Sequence, residues 1–512
     1  MPGLSFSEVL QRTPEGLALL REDRSLGERL DKTFAFITAS LGRYEPSEHP
    51  FRHGPGATSA GPSSVNKYKW YSWPRRLDDM FPASEYAYHS YSSWAANHTE
   101  IPEGEEPSRL IAVPKTLDKP RLIAAEPSSH QWCQQNMKAF MERGVQTSWI
   151  RSFINFRSQE QNQELCRKGS LDGSLATLDL SAASDRVTCD VVECAFRGNP
   201  NLLCYLRACR TRYVRVEGKF GPNRTRAGEN QLEFLHRVKK FSTMGSACTF
   251  PVESLIFLGI CLACLSDGSP KAIRRLSGSV SVFGDDIIIP THARDLVTRL
   301  LEALWFKVNT TKSFSEGNFR ESCGVDAFRG VNVTPVYLRH ASYQTPESMV
   351  GGVEAANHFY KRWLLNVSDF LRRTVRIKFP DVHPDSGVLG FICRTRPVLR
   401  KQRWNGALQR YECKVAQPTA RQTKHKAEDD SRIFQYFTDN PDPTSKWEPG
   451  WCERPVLSIQ NRWVDSHDLY RSWLEGCDRL PLVDVFGSNR SGFVCQRSIR
   501  YDLTVAKIER KV

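Results

Sequence analysis

Ser281-Val-Phe-Gly-Asp-Asp-Ile-Ile-Ile289 places two adjacent carboxylates, Asp285 and Asp286, at a glycine turn between two apolar runs. The pattern reads as a β-hairpin whose strands are buried and whose turn presents its acids to a cleft. Taken alone, an Asp-rich turn is ordinary hairpin chemistry, because Gly and Asp supply the turn dihedrals and local hydrogen bonds. Its meaning depends on what the rest of the chain sets beside it.

About a hundred residues earlier, Ala176-Thr-Leu-Asp-Leu-Ser-Ala-Ala-Ser-Asp-Arg186 reads as a short apolar strand whose end carries Asp179, followed by Ser184 and Asp185. By itself this block makes Asp179 a strand terminus and Asp185 a helix N-cap. With Asp285 and Asp286 it gives three carboxylates suited to two-metal nucleotidyl transfer. In that reaction a 3′ hydroxyl attacks a triphosphate in line, and two Mg²⁺ ions activate the nucleophile and neutralise the leaving pyrophosphate. Mg²⁺ requires hard oxygen ligands and keeps coordination positions for substrate phosphates, so a few acids from separate strands suffice. Asp179, Asp285 and Asp286 are therefore the candidate metal ligands, with Mn²⁺ as an expected substitute ion.

Between these acids, Ser242-Thr-Met-Gly-Ser-Ala-Cys-Thr-Phe-Pro-Val-Glu-Ser-Leu-Ile-Phe257 reads as a glycine loop entering a buried helix. Pro251 belongs in the first turn of such a helix, which puts Gly245, Ser246 and Thr249 at or before its N-terminus with donors facing outwards. Those donors suit a nucleotide sugar or a template phosphate, although a plain capped core helix has the same pattern. Upstream, Arg109-Leu-Ile-Ala-Val-Pro-Lys-Thr-Leu-Asp-Lys-Pro-Arg-Leu-Ile-Ala-Ala125 alternates two apolar stretches with a turn bearing Lys115, Lys119 and Arg121. A basic hairpin of this kind suits a triphosphate, whereas a solvated turn is the plainer alternative.

The order basic hairpin, Asp-bearing strand, glycine loop with helix, and Gly-Asp-Asp hairpin resembles motifs F, A, B and C of viral RNA-dependent RNA polymerases. It is similar in particular to the replicase catalytic subunit of single-stranded RNA bacteriophages, the leviviruses. The resemblance rests on Val113-Pro-Lys, Leu178-Asp-Leu-Ser-Ala-Ala-Ser-Asp, Met244-Gly, Thr249-Phe, Glu253-Ser-Leu-Ile-Phe and Phe319-Arg-Glu-Ser-Cys-Gly, within a stretch from about Arg109 to Arg339. It implies an α+β right-hand polymerase fold of fingers, palm and thumb, with a mainly antiparallel palm sheet backed by helices. Residues 1–108 would form the N-terminal region and part of the fingers, and 109–175 the fingers with the basic hairpin. Residues 176–345 would form the palm, with a fingers insertion at about 200–240, and 346–512 the thumb and a C-terminal RNA-binding region.

The same resemblance implies roles. Asp179, Asp285 and Asp286 would serve as catalytic metal ligands, and Lys312 would protonate the leaving pyrophosphate. Lys115, Arg121, Ser184, Asp185, Gly245, Ser246, Thr249 and Glu253 would contact the incoming nucleotide. Asp185 corresponds to the acid that senses the ribose 2′ hydroxyl, which separates RNA precursors from DNA precursors. Many such polymerases carry Asn where this chain, like levivirus-like chains, has Glu253. The implied activity is RNA-directed RNA synthesis from nucleoside triphosphates on a single-stranded RNA template, starting without a primer. The implied partners are host elongation factors Tu and Ts and a host ribosomal RNA-binding protein, in the cytoplasm of an infected bacterium and away from membranes.

Composition agrees. The chain has 512 residues, with Lys plus Arg at 71 against Asp plus Glu at 57, a formal net charge of +14 that favours a polyanionic partner. Its 40% hydrophobic content argues against general disorder. The 15 cysteines are scattered, and Cys261 and Cys264 form an isolated pair inside the apolar helix, which points to core thiols in a reducing compartment rather than zinc or disulfides. No run is apolar and long enough for a membrane span.

Elsewhere, His53–Ser64 reads as a loop, and His358–Arg373 shows apolar residues at helical spacing. Arg394–Lys426 mixes basic and aromatic residues that could track RNA, Gln417–Ser431 reads as an exposed loop, and Arg320 with Glu321 reads as an ion pair. Two other functions fit parts of the pattern. A reverse transcriptase shares the paired acids but not the ribose-sensing context of Asp185. A non-enzymatic RNA-binding or packaging protein accounts for the charge but leaves the three acids without a purpose.

Overall fold

The structure is a computed structural model that describes residues 4–54, 56–59, 67, 70, 72–88, 91–97, 99–114, 120–216, 234–241, 243–338, 340, 342–393, 402–425 and 451–469. The chain divides into two compact units, Met1–Thr334 and Pro335–Val512.

The first unit is organised around the helix Thr249–Leu265, hereafter the central helix. Its sequence has no polar face, and Ile256, Phe257, Leu258, Ile260, Cys261 and Leu262 are all fully buried. A helix apolar all round must be covered on every side. The helices Leu26–Ser40, Cys189–Phe196 and Arg294–Ala303 pack around it, together with a strand of the acid-bearing sheet. Gly259 permits the closest approach, because a β-carbon there would lie 2.3 Å from the Phe34 ring. Among the described residues no helix is long and apolar enough to cross a membrane.

Along this unit the strands are β1 Ser108–Pro114, β2 Pro120–Ala125, β3 Leu175–Leu178, β4 Tyr213–Val216, β5 Phe234–Arg237, β6 Ser281–Phe283, β7 Asp286–Pro290, β8 Phe319–Ser322, β9 Val325–Phe328 and β10 Val331–Asn332. The expected basic hairpin is present as β1 and β2, paired antiparallel from Arg109 and Ala125 to Pro114 and Pro120. Strands β4 and β5, from the stretch read as an insertion, extend it into a four-stranded sheet ordered β2-β1-β4-β5. Lys115 and Lys119 lie outside the described residues.

The expected Gly-Asp-Asp hairpin is β6 and β7, and β3 pairs antiparallel with β7 to give the order β3-β7-β6. Strand alternation splits its side chains between two cores. Ala176, Leu178, Ile287 and Ile289 join the large core of the central helix. Leu175 and Ile288 join a smaller cluster with Cys166, Val325 and Ala327, formed beneath the helix Glu160–Asp172 and the β8–β9 hairpin. Burial on both faces explains why these strands read as continuous apolar runs. A mainly antiparallel sheet backed by helices is thus observed, and the protein is α+β.

Arg320 and Glu321 do not pair. As neighbours on β8 they point to opposite faces, so one side chain is buried while the other reaches solvent. The fully buried Arg320 guanidinium donates to the carbonyl oxygens of Leu175 (2.6 Å), Phe319 (2.7 Å), Ser315 (2.9 Å), Gly317 (3.0 Å) and Glu316 (3.2 Å). Glu321 instead lies 3.7 Å from Lys312.

In the second unit the helix Pro346–Lys361 begins at a Thr345 capping box. The helical spacing of 358–373 does not produce one helix. Trp363 adopts a left-handed φ of 62°, which stops the first helix before Leu365–Thr374 begins. Of the apolar residues in that run, Leu371 enters the core, whereas Trp363, Leu364 and Phe370 stay exposed. Strands β11 Asp381–Val382 and β12 Phe391–Ile392 pair in parallel, and β13 Gln402–Asn405, β14 Arg410–His425 and β15 Trp451–Asp465 form an antiparallel sheet. The loop expected over 417–431 is strand as far as His425, because its backbone pairs with the strand Trp451–Asp465 from Gln417 opposite Gln460 to His425 opposite Trp451, and Gln417 is buried with its side chain bonded to both the N–H and the carbonyl of Leu389. Residues 426–431 lie outside the described residues. Arg403 and Arg410, read as possible RNA contacts, both pair with the carboxylate of Glu412 at 2.9 Å.

Candidate active site

The β6–β7 turn is fixed from below by the central helix. Gly284 has a φ of +62°, and a β-carbon there would lie 2.5 Å from the Phe250 ring, so both backbone and space demand glycine. Its N–H donates to Ser254 Oγ at 3.1 Å, and that hydroxyl in turn donates to the Phe250 carbonyl at 2.7 Å. The turn therefore holds Asp285 and Asp286 at a defined height above the helix.

Strand register brings in the third acid. Leu178 pairs with Ile287, so Asp179 and Asp286 each lie one residue beyond that pair, at the same end of the sheet and on the same face. Asn309 orients Asp179, its side-chain amide donating to Oδ2 at 2.7 Å and its backbone N–H to the Asp179 carbonyl at 2.8 Å. The Asp179 N–H donates to Ser313 Oγ at 3.1 Å. Burial pushes Asp286 up to about 6; the charges of Asp285 and Asp179 add to this, and hydrogen bonds from Cys323 oppose it.

A second group of polar residues combines Glu253 on the central helix with Ser184 and Asp185 on the short helix Ala183–Arg186. Ser184 Oγ donates to Glu253 Oε2 at 2.7 Å. Burial, with the charges of Asp285 and Asp185 adding to it, pushes Glu253 up to about 8. At neutral pH this side chain is mostly the uncharged acid, with one hydroxyl donor and one carbonyl acceptor. Those are the capabilities of the amide that many polymerases carry there. Asp185 lies inside the short helix Ala183–Arg186 rather than capping it, and its carboxylate is paired with Lys240 Nζ.

The glycine loop lies against β2. Gly245 has a φ of +132°, and a β-carbon there would lie 2.0 Å from the Ala124 carbonyl. The Ala124 N–H donates to the Met244 carbonyl at 2.8 Å. Ser246 is half-buried and accepts from the Cys248 N–H at 3.3 Å. The Thr249 hydroxyl does not face outwards. It donates to the Thr243 carbonyl at 2.9 Å and closes the loop on itself. Beneath the loop Glu126 is 2% exposed and accepts from Thr211, from Gln134 at 3.2 Å and from Thr243 at 3.4 Å. Arg121 is exposed on β2, and the Lys312 side chain, 57% exposed, lies near Glu321.

Asp179, Asp285 and Asp286 offer hard oxygen donors and crowded like charge, which fits a divalent cation such as Mg²⁺ in kind. Among the described residues no three His, Cys, Asp or Glu side chains are already arranged to hold a metal ion, so the acids would have to converge on one.

Sequence reasoning missed Asn309, Ser313, Lys240 and Glu126. Glu126, directly before Pro127 at the end of an apolar strand, carried the clearest signal, because a charged residue in such a run must find buried partners. The other three are ordinary polar residues whose partners lie 55 to 134 positions away.

The arrangement defines an α+β protein with an acidic site at one end of an antiparallel sheet, flanked by a glycine loop and a buried helix. Residues 36–360 match the family model described as RNA replicase, beta-chain, and the chain belongs to this family. It is 37% identical over 230 residues to the RNA-directed RNA polymerase beta chain of Enterobacteria phage fr, covering 45% of this chain and 37% of the relative. It is 33% identical over 241 residues to that of Enterobacteria phage GA, covering 47% and 40%. With the RNA-directed RNA polymerase subunit beta of Qbeta virus strain MX1 the identity is 30% over 310 residues, covering 58% and 48%. The chain thus spans less than half the length of each of these relatives. Among solved structures, the RNA-dependent RNA polymerase of bacteriophage phi12 aligns with a TM-score of 0.42 at 13% identity, covering 73% of this chain and 70% of that one.

Proposed function

We propose that this chain is the catalytic part of an RNA-directed RNA polymerase that replicates a positive-strand RNA phage genome. The observation that carries the proposal is the gathering of Asp179, Asp285 and Asp286 at one end of the β3-β7-β6 sheet, opposite Ser184 and Glu253. The RNA-directed RNA polymerase activity for which the relatives are named supports it. In this reading the β3-β7-β6 sheet and central helix are the palm, the β2-β1-β4-β5 sheet belongs to the fingers, and the second unit is the thumb with an RNA-binding region.

Asp179, Asp285 and Asp286 would hold Mg²⁺, which supplies activation of the 3′ hydroxyl and neutralisation of the pyrophosphate. Asn309 fixes one carboxylate oxygen of Asp179, so that acid enters the reaction already oriented. Lys115 and Arg121 would receive the triphosphate, and Gly245, Ser246 and Thr249 would shape the floor beneath its sugar. Ser184, Asp185 and Glu253 would read the ribose. Lys312 would deliver a proton to the leaving pyrophosphate, from a position 3.7 Å from Glu321. Initiation without a primer, assembly with host elongation factors Tu and Ts, recruitment of a ribosomal RNA-binding protein and action in the cytoplasm of an infected bacterium complete the proposal.

The test is Mg²⁺-dependent incorporation of labelled ribonucleotides on a single-stranded RNA template, with and without bacterial elongation factors. Wild-type synthesis that falls by about a thousandfold or more in Asp285→Asn is the expected result. RNA binding with no synthesis under any condition, unchanged by the substitution, would replace the proposal with a binding protein.

A further inference from the structure

Lys240 belongs to none of the sequence motifs, yet it is the residue that engages the ribose-facing acid. Its Nζ contacts Asp185 Oδ1, with side-chain exposures of 29% and 36%. A half-exposed pair between two free side chains contributes little. Here the backbone around the lysine is held on several sides. Lys240 and Thr188 form an antiparallel bridge, and the Phe241 N–H donates to the Val187 carbonyl at 2.8 Å. The Lys240 carbonyl accepts from Arg210 Nη2 at 2.9 Å, and the same guanidinium nitrogen bonds the Val238 carbonyl at 2.6 Å. The segment 238–241 is thus fastened to residues 187–188, directly after the short helix that carries Asp185, so the base of the lysine side chain is held at a fixed place beside that acid. The next residues along the chain, 242–246, are the glycine loop. Lys240 therefore ties the position of that loop to the direction of the Asp185 carboxylate, while Ser184 is engaged by Glu253 on the other side.

We propose that Lys240 is a positioning residue for sugar selection, holding the Asp185 carboxylate where the 2′ hydroxyl of an incoming ribonucleotide reaches it. The inference rests on the polymerase reading and names a determinant of its substrate class. A site that orients an acceptor toward a substrate hydroxyl discriminates against the analogue lacking it, and the discrimination weakens when the acceptor is free to turn away. Lys240→Met removes the charge and keeps most of the stem, whereas Lys240→Arg keeps the charge.

The experiment measures equilibrium binding of ATP and 2′-deoxy-ATP to the full chain, together with kcat/KM for both nucleotides in the incorporation assay. The variants are Lys240→Met, Lys240→Arg, Asp185→Asn and the double substitution Lys240→Met with Asp185→Asn. The expected result is a preference for ATP that falls at least about tenfold in Lys240→Met through a higher KM for ATP, is largely retained in Lys240→Arg, and does not fall further in the double variant. An unchanged preference in Lys240→Met, an equal loss for both nucleotides, or the same fall in the Asp185→Asn background would overturn the inference. Absence of synthesis by the wild type would strike the polymerase reading instead, and the binding preference would still decide the role of Lys240.

Discussion

Glu253 is a carboxyl group where many viral polymerases carry an amide, and burial gives it the donor and acceptor of one. Its proton is retained in the folded state up to about pH 8, against 4.5 for the free side chain. Between those values the folded protein binds more protons than the unfolded chain, so raising the pH through this window removes stability, on the order of 3 to 5 kcal/mol in all. Glu253→Gln keeps the donor and acceptor and removes the titration. Urea denaturation without added metal is expected to show the wild type losing stability relative to this variant between pH 5 and pH 9, with synthesis by the variant retained within about tenfold at pH 7. A parallel pH dependence in the two proteins would contradict that account. Gly284 is the other residue with a sharp expectation. Alanine there meets both an unfavourable φ and the Phe250 ring, so Gly284→Ala should cost about 2 kcal/mol or more and reduce synthesis by displacing both acids, checked by melting temperature and incorporation together.

At the scale of elements, the acid-bearing hairpin was legible because period and turn chemistry agree locally, and so was the central helix, whose all-round apolar run admits only burial. The basic hairpin was legible for the same reason. What local pattern could not supply was partnership across the chain. The spacing of 358–373 satisfies a helix everywhere except at Trp363, where the backbone turns left-handed. Gln417 looked like a loop residue because its buried partner, Leu389, lies 28 positions away. The three acids were readable as a set, but Asn309, which orients Asp179, and Lys240, which pairs with Asp185 beside them, became visible only once the strands were paired. Close packing gives a test at this scale. Gly259→Leu should drive the central helix away from Phe34 and destabilise the unit by about 3 kcal/mol or more, read by denaturant midpoint, whereas Cys264→Ser at the half-buried end of the same helix should cost far less.

For the whole molecule, the formal net charge of +14 makes nucleic-acid affinity an electrostatic quantity before it is a specific one. Binding of single-stranded RNA should therefore weaken at least about tenfold between 50 and 200 mM salt, with Asp285→Asn following the same slope because it changes chemistry rather than the overall field. A salt-insensitive affinity would point to stacking as the main source of binding. The buried guanidinium of Arg320 acts on a length of main chain rather than on a single partner. It grips four carbonyls of residues 315–319 and that of Leu175 on β3, so it fixes the path of the turn before β8 against the acid-bearing sheet. Loss of this one side chain would strand five main-chain acceptors at once, so the turn leading into β8 hangs from a single fastening.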